Sequence, residues 1–352
     1  FKCNLVSSEV LELEVPTFRL DITEDADILE EIARIYGYDN IPSASLEGNA
    51  TAGVKTEKQK FIDNVKSNSI ACGLNEILTY SFVSPRGVDK INLPADDEKR
   101  NFVKIMNPLG EETSVMRPNM LDVISTNISH KVEEVSAFEC GNTFIPQEGL
   151  PIETKKYCVG MYGKEVDFFV LKGVIESVLN NVGLKGYEIE PETTNLTFHP
   201  GRCAKIVYNN IYIGTFGELH PDVIENYNLG QRVYVAEINI DTVFENLNLT
   251  KSYNPLPKYP STSRDIALIV KDEVFVKQIE DIIKANGEDL VESYKLFDVY
   301  KGAQIEEGHK SIAYSITYRS KDKTLTDEDV AKVHEKILSE LSEKLNANLR
   351  SN

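Results

Sequence analysis

The chain is poor in cysteine and has no pair spaced as CxxC. Its five cysteines, Cys3, Cys72, Cys140, Cys158 and Cys203, are scattered and odd in number. That argues against a zinc site built from cysteine pairs and against a disulfide framework. Reduced thiols in a cytosolic setting are the expectation. No apolar run approaches the roughly 18 residues needed to span a bilayer, and the first residues lack the pattern of a signal peptide. The sequence also opens without an initiator methionine, in what reads as the middle of a domain, so a portion of a longer polypeptide is expected. Walker-type loops, GxGxxG and GxSxG are all missing. The five histidines show no metal-ligand spacing. No nucleophile and base can be paired, so no catalytic residue is assigned. Positive charge is scarce too: 38 Lys and Arg stand against 56 Asp and Glu, a net of −18. This excludes a surface coated in basic groups for duplex DNA.

What remains is ordinary globular composition, 41% apolar and 27% charged, at a length that calls for two or three domains. The charge is uneven. From Lys258 onward the chain carries 15 basic and 18 acidic residues, close to neutral inside an acidic whole. That tail reads strand, helix, strand, strand, helix, strand. The strands are 265–270, 290–300, 311–319 and a short one at 348–350; the helices are 276–286 and 327–345, the second capped by Thr326. The order is that of a split βαβ, ferredoxin-like sandwich. Such a sheet leaves one face without helices. Tyr300, Tyr314, Tyr318, Arg264, Arg319 and Arg350 could stack on bases and meet phosphates there. Alternation in a strand equally allows the tyrosines to fill the sheet–helix interface.

Two further units precede the tail. Residues 1–46 read as part of a small α/β domain. A strand over 10–15 ends at Pro16, and a helix over 25–36 has Thr23 as N-cap and Gly37 as C-cap. Residues 42–54 read as a linker. Residues 55–245 read as an α+β unit with an antiparallel sheet. Its strands are expected at 76–82, 135–144, 157–162, 204–208, 211–217 and 233–239, its helices at 57–72, 117–130, 168–182 and 221–226. His199-Pro200-Gly201-Arg202 and Gly217-Glu218-Leu219-His220-Pro221 read as turns at strand ends. Three prolines between Asn254 and Pro260 mark a boundary before the tail, which spans 258–352.

One acidic constellation stands out: Asp21, Asp27, Glu30 and Glu31. At about 100° per residue, 27, 30 and 31 share a face of the helix. Oxygen donors in this number suit Mg²⁺ or Ca²⁺. Four carboxylates exceed the charge of one divalent ion, so a basic partner is also required. The same spacing is common on solvated surface helices.

These phrases, taken together and in order, resemble the beta subunit of bacterial phenylalanine–tRNA ligase. The resemblance runs through Arg19-Leu20-Asp21-Ile22, Asp27 to Asp39, Ile41-Pro42, Met116-Arg117-Pro118, Phe138-Glu139-Cys140-Gly141, His199 to Arg202 and Gly217 to Pro221. It closes with Tyr259-Pro260, Arg264-Asp265, Phe297-Asp298-Val299-Tyr300 and Thr324-Leu325-Thr326-Asp327. It covers nearly the whole chain. It implies a Mg²⁺ site at Asp21, Asp27, Glu30 and Glu31, near a subunit interface. It implies that 55–245 is a class II synthetase-like domain that performs no reaction and packs on an alpha subunit holding the ATP and phenylalanine sites. It implies that the tail binds the anticodon of tRNA(Phe), with Ala267, Asp298, Tyr300, Ser311 and Arg350 around the bases. A cytoplasmic assembly of two alpha and two beta subunits follows, with no membrane and no DNA. Two rivals stay open: a ferredoxin-like module that binds a small ligand or RNA in a regulatory role, and a stand-alone class II-like enzyme.

Overall fold

The computed structural model describes residues 1–45, 48, 52–121, 133–248, 253, 255–302 and 304–350. It divides into two compact units, Phe1–Leu249 and Thr250–Asn352. The first unit opens with a hairpin, β1 (Lys2–Leu5) against β2 (Leu11–Glu14). Helix α1 (Asp25–Tyr36) follows, and no residue of it is buried. Its apolar stripe is present as the spacing predicts, yet Leu29, Ile32 and Ile35 face outward. The cap differs from the expected one. Glu24 holds the N-cap position, and the Asp27 carboxylate accepts the amides of Thr23 and Glu24 at 2.8 and 2.9 Å. A carboxylate there also favours the positive end of the helix dipole. Gly37 ends the helix at φ 96°, where a side chain would be strained.

The larger part of this unit is a seven-stranded sheet in the order β3 (Asn75–Glu76), β6 (Val135–Ile145), β7 (Ile152–Tyr162), β11 (Tyr234–Asn239), β10 (Ile211–Leu219), β9 (Phe198–Tyr208), β8 (Glu188–Pro191). All neighbours are antiparallel except β3 and β6. A separate small pair joins β4 (Phe82–Val83) to β5 (Val115–Met116), with the short helix α3 (Gly87–Lys90) between them. Helices α2 (Glu57–Ala71) and α4 (Phe168–Val182) cover one face, where Phe61, Val65, Phe138, Leu171, Ile175 and Phe216 share a core. Helix α5 (Pro221–Asn226) contributes Val223 to the opposite face, beside Met120, Cys158, Phe198 and Val235. Helix α6 (Ile240–Glu245) follows β11. The strand period of two explains the division: Val159 and Ala236 go to one core, Cys158 and Val235 to the other. Burial lifts the Cys140 and Cys203 thiols to about 12. They are weakly reactive in consequence.

Several expectations fail in instructive ways. The strand expected at 76–82 is broken into β3 and β4, and Leu78 and Tyr80 between them are exposed. Their alternation is real, but Thr79 turns inward to polar partners instead of a ladder. Residues 117–120 are not helical, and 122–130 of the expected helix lie outside the described residues. His199 to Arg202 sit inside β9, not at a turn. Strand β8 and helix α6 had no clear signal in the sequence.

Arg117 accounts for the broken strand and for the non-helical backbone at 117–120. It is 3% exposed, and its guanidinium reaches the Asn142 carbonyl at 2.8 Å, Thr79 Oγ1 at 2.9 Å and Glu139 Oε1 at 3.0 Å. Thr79 donates in turn to Glu139 Oε2 at 2.6 Å. Arg117 must therefore run extended, and the 77–81 segment bends to meet it. A Cβ on Gly141 would lie 2.0 Å from the guanidinium, so only glycine leaves room.

The second unit has the expected order. Strands β12 (Thr262–Lys271), β13 (Val291–Tyr300), β14 (His309–Tyr318) and β15 (Asn348–Leu349) alternate with helices α7 (Val276–Asn286) and α8 (Asp327–Leu345). The sheet order is β13-β14-β12-β15, antiparallel throughout. Ile266, Leu268, Val270, Ile312, Tyr314, Ile316 and Tyr318 pack beneath Ile279, Ile283, Val333 and Ile337 of the helices. Thr326 caps α8 as its sequence predicts. Inside this layer the Tyr318 hydroxyl lies 2.8 Å from His334 Nδ1.

Removing one partner of a buried ion pair strands the other. Glu139→Ala is expected to lower the stability of the first unit by about 3–5 kcal/mol in urea unfolding, against less than about 1 kcal/mol for the exposed pair-breaker Glu57→Ala. In the second unit, burial and then the Arg264 charge press the His334 imidazole below its ordinary 6.5. Protonation therefore favours the unfolded chain. Stability is complete above 6.5 and falls as the pH drops below it. Melting followed from neutral to mildly acidic pH should show that loss, and His334→Gln should flatten it.

Candidate nucleic-acid interface

Helices cover only one side of the tail sheet. The other side carries small residues: Ala267 on β12, and Ser311, Ala313, Ser315 and Thr317 on β14. Register alone would deny this face its larger side chains. Tyr294 and Leu296 of β13 lie opposite Ile316 and Tyr314, both core residues. Strict alternation would send Asp298 and Tyr300 to the core as well. The ladder instead slips between Leu296 and Asp298, so that Asp298 pairs with Ala313 and Tyr300 with Ser311. One extra residue, Phe297, makes a bulge and turns both side chains to the open face.

The far side of the sheet completes the set. The Arg350 amide donates to the Ala267 carbonyl at 2.9 Å, continuing the short β15 ladder. Its guanidinium carbon lies 5.6 Å from the centre of the Tyr300 ring and its Nη2 is 3.0 Å from Gln304 Oε1. Ala267, Asp298, Tyr300, Ser311 and Arg350 thus gather at one end of one face. Ser311 is 3% exposed. A ligand reaching its hydroxyl has to displace a neighbouring side chain.

The other stacking candidates are engaged elsewhere. Tyr314 and Tyr318 are fully buried under the helices, where their alternation in β14 sends them. Arg264 is tied to Asp327 at 2.7 Å, and Arg319 to Glu292 at 2.9 Å and the Tyr259 carbonyl at 2.7 Å. At the end of the open face near Ser311, Tyr300, Arg350 and Asp298 stand over small residues; farther along, Asp265 and Lys295 flank Ser315 on the same face. The Ser311 end suits flat bases laid close to the backbone better than a phosphate track.

The acidic constellation takes a different form from a cation cage. Asp21 receives Arg19 through Nε at 3.0 Å and Nη2 at 2.7 Å. Glu31 receives Arg19 at 2.7 Å and Arg34 at 2.6 Å. These bonds hold the Glu31 carboxyl down to about 2, Arg19 contributing most, and lower Asp21 as well. Asp27 is lowered by the two backbone amides it caps. Glu30 is exposed. Among the described residues no three His, Cys, Asp or Glu are grouped to hold a metal ion. As they stand, the four carboxylates do not fit a bare divalent cation; Arg19 occupies the position of the positive charge.

An α+β chain ending in a ferredoxin-like sandwich, with a small polar face left open, is the class defined by this architecture. The comparisons agree in detail. Residues 41–240 match the phenylalanyl tRNA synthetase beta chain CLM domain, 257–350 the ferredoxin-fold anticodon binding domain, and 1–38 the tRNA synthetase B5 domain. The chain belongs to the phenylalanyl-tRNA synthetase beta chain family. Among similar proteins, the phenylalanine–tRNA ligase beta subunit of Clostridium tetani is 46% identical over 98% of this chain. That of Clostridium acetobutylicum is 45% identical over 98%, and that of Listeria monocytogenes strain EGD-e 38% identical over 98%. The chain spans 44% of the length of each of these relatives. Among the described residues no helix is long and apolar enough to cross a membrane.

Proposed function

We propose that this chain serves the ATP-dependent attachment of phenylalanine to tRNA(Phe) without carrying out the reaction itself. The tail, 258–352, reads the anticodon through Ala267, Asp298, Tyr300, Ser311 and Arg350. The unit at 55–245 is a class II synthetase-like scaffold that docks an alpha subunit, and that subunit uses ATP and phenylalanine. Residues 1–46 contribute a small third domain. The assembly is cytoplasmic, with two alpha and two beta subunits. The observation that supports this reading is the bulge at Phe297. It spends a strand residue to bring Asp298 and Tyr300 beside Ser311 and Ala267, an arrangement that does nothing for the core.

Affinity should depend on the anticodon. tRNA with a GAA anticodon is expected to bind this chain more tightly than the same tRNA with the triplet swapped, in filter binding or anisotropy. Tyr300→Ala should cost about 1–3 kcal/mol of that affinity if a base stacks there. Equal affinity for both tRNAs favours the regulatory-module reading instead.

Asp21, Asp27, Glu30 and Glu31 are proposed as a Mg²⁺ set that an ion enters only in competition with Arg19. Arg19→Ala should then raise Mg²⁺ affinity about tenfold or more in calorimetric titration, the scale of one lost charge-assisted hydrogen bond. An unchanged titration returns the set to a self-neutralised surface.

A further inference from the structure

The open face of the tail sheet changes character along its length. Its Ser311 end has the Tyr300 ring and the Arg350 guanidinium. Farther along, Ser315 of β14 has Asp265 of β12 on one side and Lys295 of β13 on the other. In the next row on this face, Thr317 is flanked by Ser263 and Ser293. The Ser263 and Thr317 hydroxyls lie 3.3 Å apart. These two rows hold hydroxyls, one ammonium and one carboxylate, and no aromatic ring.

Alternation puts Lys295 there. Its neighbours Tyr294 and Leu296 pack against the core, so Lys295 belongs to the opposite face, and it is exposed. Other cations around the sheet are engaged: Arg264 with Asp327, Arg319 with Glu292, Arg350 with Gln304, Lys310 with the Asp272 carbonyl. Among the described residues Lys295 has no ion pair and no hydrogen bond. Acids are not lacking on this face. Asp265 shares the row of Lys295, and Asp298 stands in the next. Asp265, however, is two strands away, about 9.6 Å at the backbone, and Asp298 lies beyond the bulge. The ammonium stays free although carboxylates share its face.

The surroundings narrow what it can hold. The chain carries a net charge of −18, so a polyanion gains from approaching where a cation is unpaired. From Ser311 to Ser315 is four residues of strand, about 13 Å. Nucleotides stacked at about 3.4 Å each need several members to cover that length. A group at Lys295 therefore belongs to a different nucleotide from a base at Tyr300. Lysine binds phosphate as a point charge. Serine and threonine hydroxyls bond phosphate and sugar oxygens. Asp265 repels a phosphate from the β12 side, which leaves the β13 side for the backbone to pass.

We propose that Lys295 is a phosphate anchor for the anticodon loop. Its ammonium holds the backbone of nucleotides adjoining the triplet, with the Ser293 and Thr317 hydroxyls alongside, while the Tyr300 end reads bases. The inference rests on the reading of the open face as an RNA surface.

The test uses the whole chain with tRNA carrying a GAA anticodon and the same tRNA with the triplet swapped. Affinity is followed by fluorescence anisotropy over a range of salt. One phosphate contact contributes about 0.7–0.9 to the slope of log affinity against log salt. Lys295→Gln is expected to reduce the slope by that amount and to weaken binding about fivefold at about 0.1 M salt. The loss should be the same for both tRNAs, because a phosphate carries no sequence. Lys295→Arg should retain slope and affinity. Lys284→Gln removes the same charge from an exposed position on α7, on the helix side of the sheet, and should change neither. Melting of each variant checks that the tail folds. If Lys295→Gln behaves like Lys284→Gln while Tyr300→Ala and the swapped triplet weaken binding, the anchor is overturned and the anticodon reading stands. A loss confined to the GAA tRNA with an unchanged slope overturns it too, since that marks a base contact. If Tyr300→Ala and the swapped triplet change nothing, the anticodon reading has failed, and the phosphate contact stands or falls on the slope alone.

Discussion

One slipped register in β13 organises the open face of the tail sheet. A strand has two faces and no freedom to choose between them residue by residue. Tyr294 and Leu296 commit their parity to the hydrophobic layer under α7 and α8. Without correction, Asp298 and Tyr300 would be driven into that layer, where a carboxylate is costly to bury. The bulge at Phe297 resolves the conflict. It lets one strand serve a core in its first half and a surface in its second. The neighbouring strand needs no such device. β14 keeps strict alternation, with Ile312, Tyr314, Ile316 and Tyr318 inside and Ser311, Ala313, Ser315 and Thr317 outside.

The first unit shows the same competition between local pattern and buried chemistry. Arg117, Thr79 and Glu139 form a closed polar knot in an otherwise apolar setting. Each member satisfies another, so no charge is left alone in low dielectric. The cost is local: a stretch with good strand alternation is bent out of its ladder. The sheet itself is apolar on both sides near β7 and β11.

Charge is handled economically at the amino end. Arg19 answers Asp21 and Glu31, Arg34 answers Glu31, and the helix start answers Asp27. A cluster that looks over-charged as a list of acids is about half neutralised as an arrangement, by Arg19 and Arg34. The sequence lists all of these groups but not their pairing. Arg19 belongs to a loop, and only the path of the chain from Pro16 to α1 brings it over Glu31.

Much of the architecture was legible in the sequence. The order of the tail, the caps at Thr326 and Gly37, the helices at 168–182 and 221–226, and most strands of the large sheet follow from periodicity and turn residues, which are local properties. That Ala267, Asp298, Tyr300, Ser311 and Arg350 gather on one face was not legible in the sequence pattern, because nothing in the periodicity of β13 announces a bulge. Tyr314 and Tyr318 could not be assigned to a face without knowing where the helices lie. Composition and pattern by themselves determined that this is an α+β chain with a ferredoxin-like end. Tertiary structure decided which side chains meet. Register, burial and ion pairing depend on residues far apart in the chain, and a single extra residue in one strand is enough to exchange inside for outside.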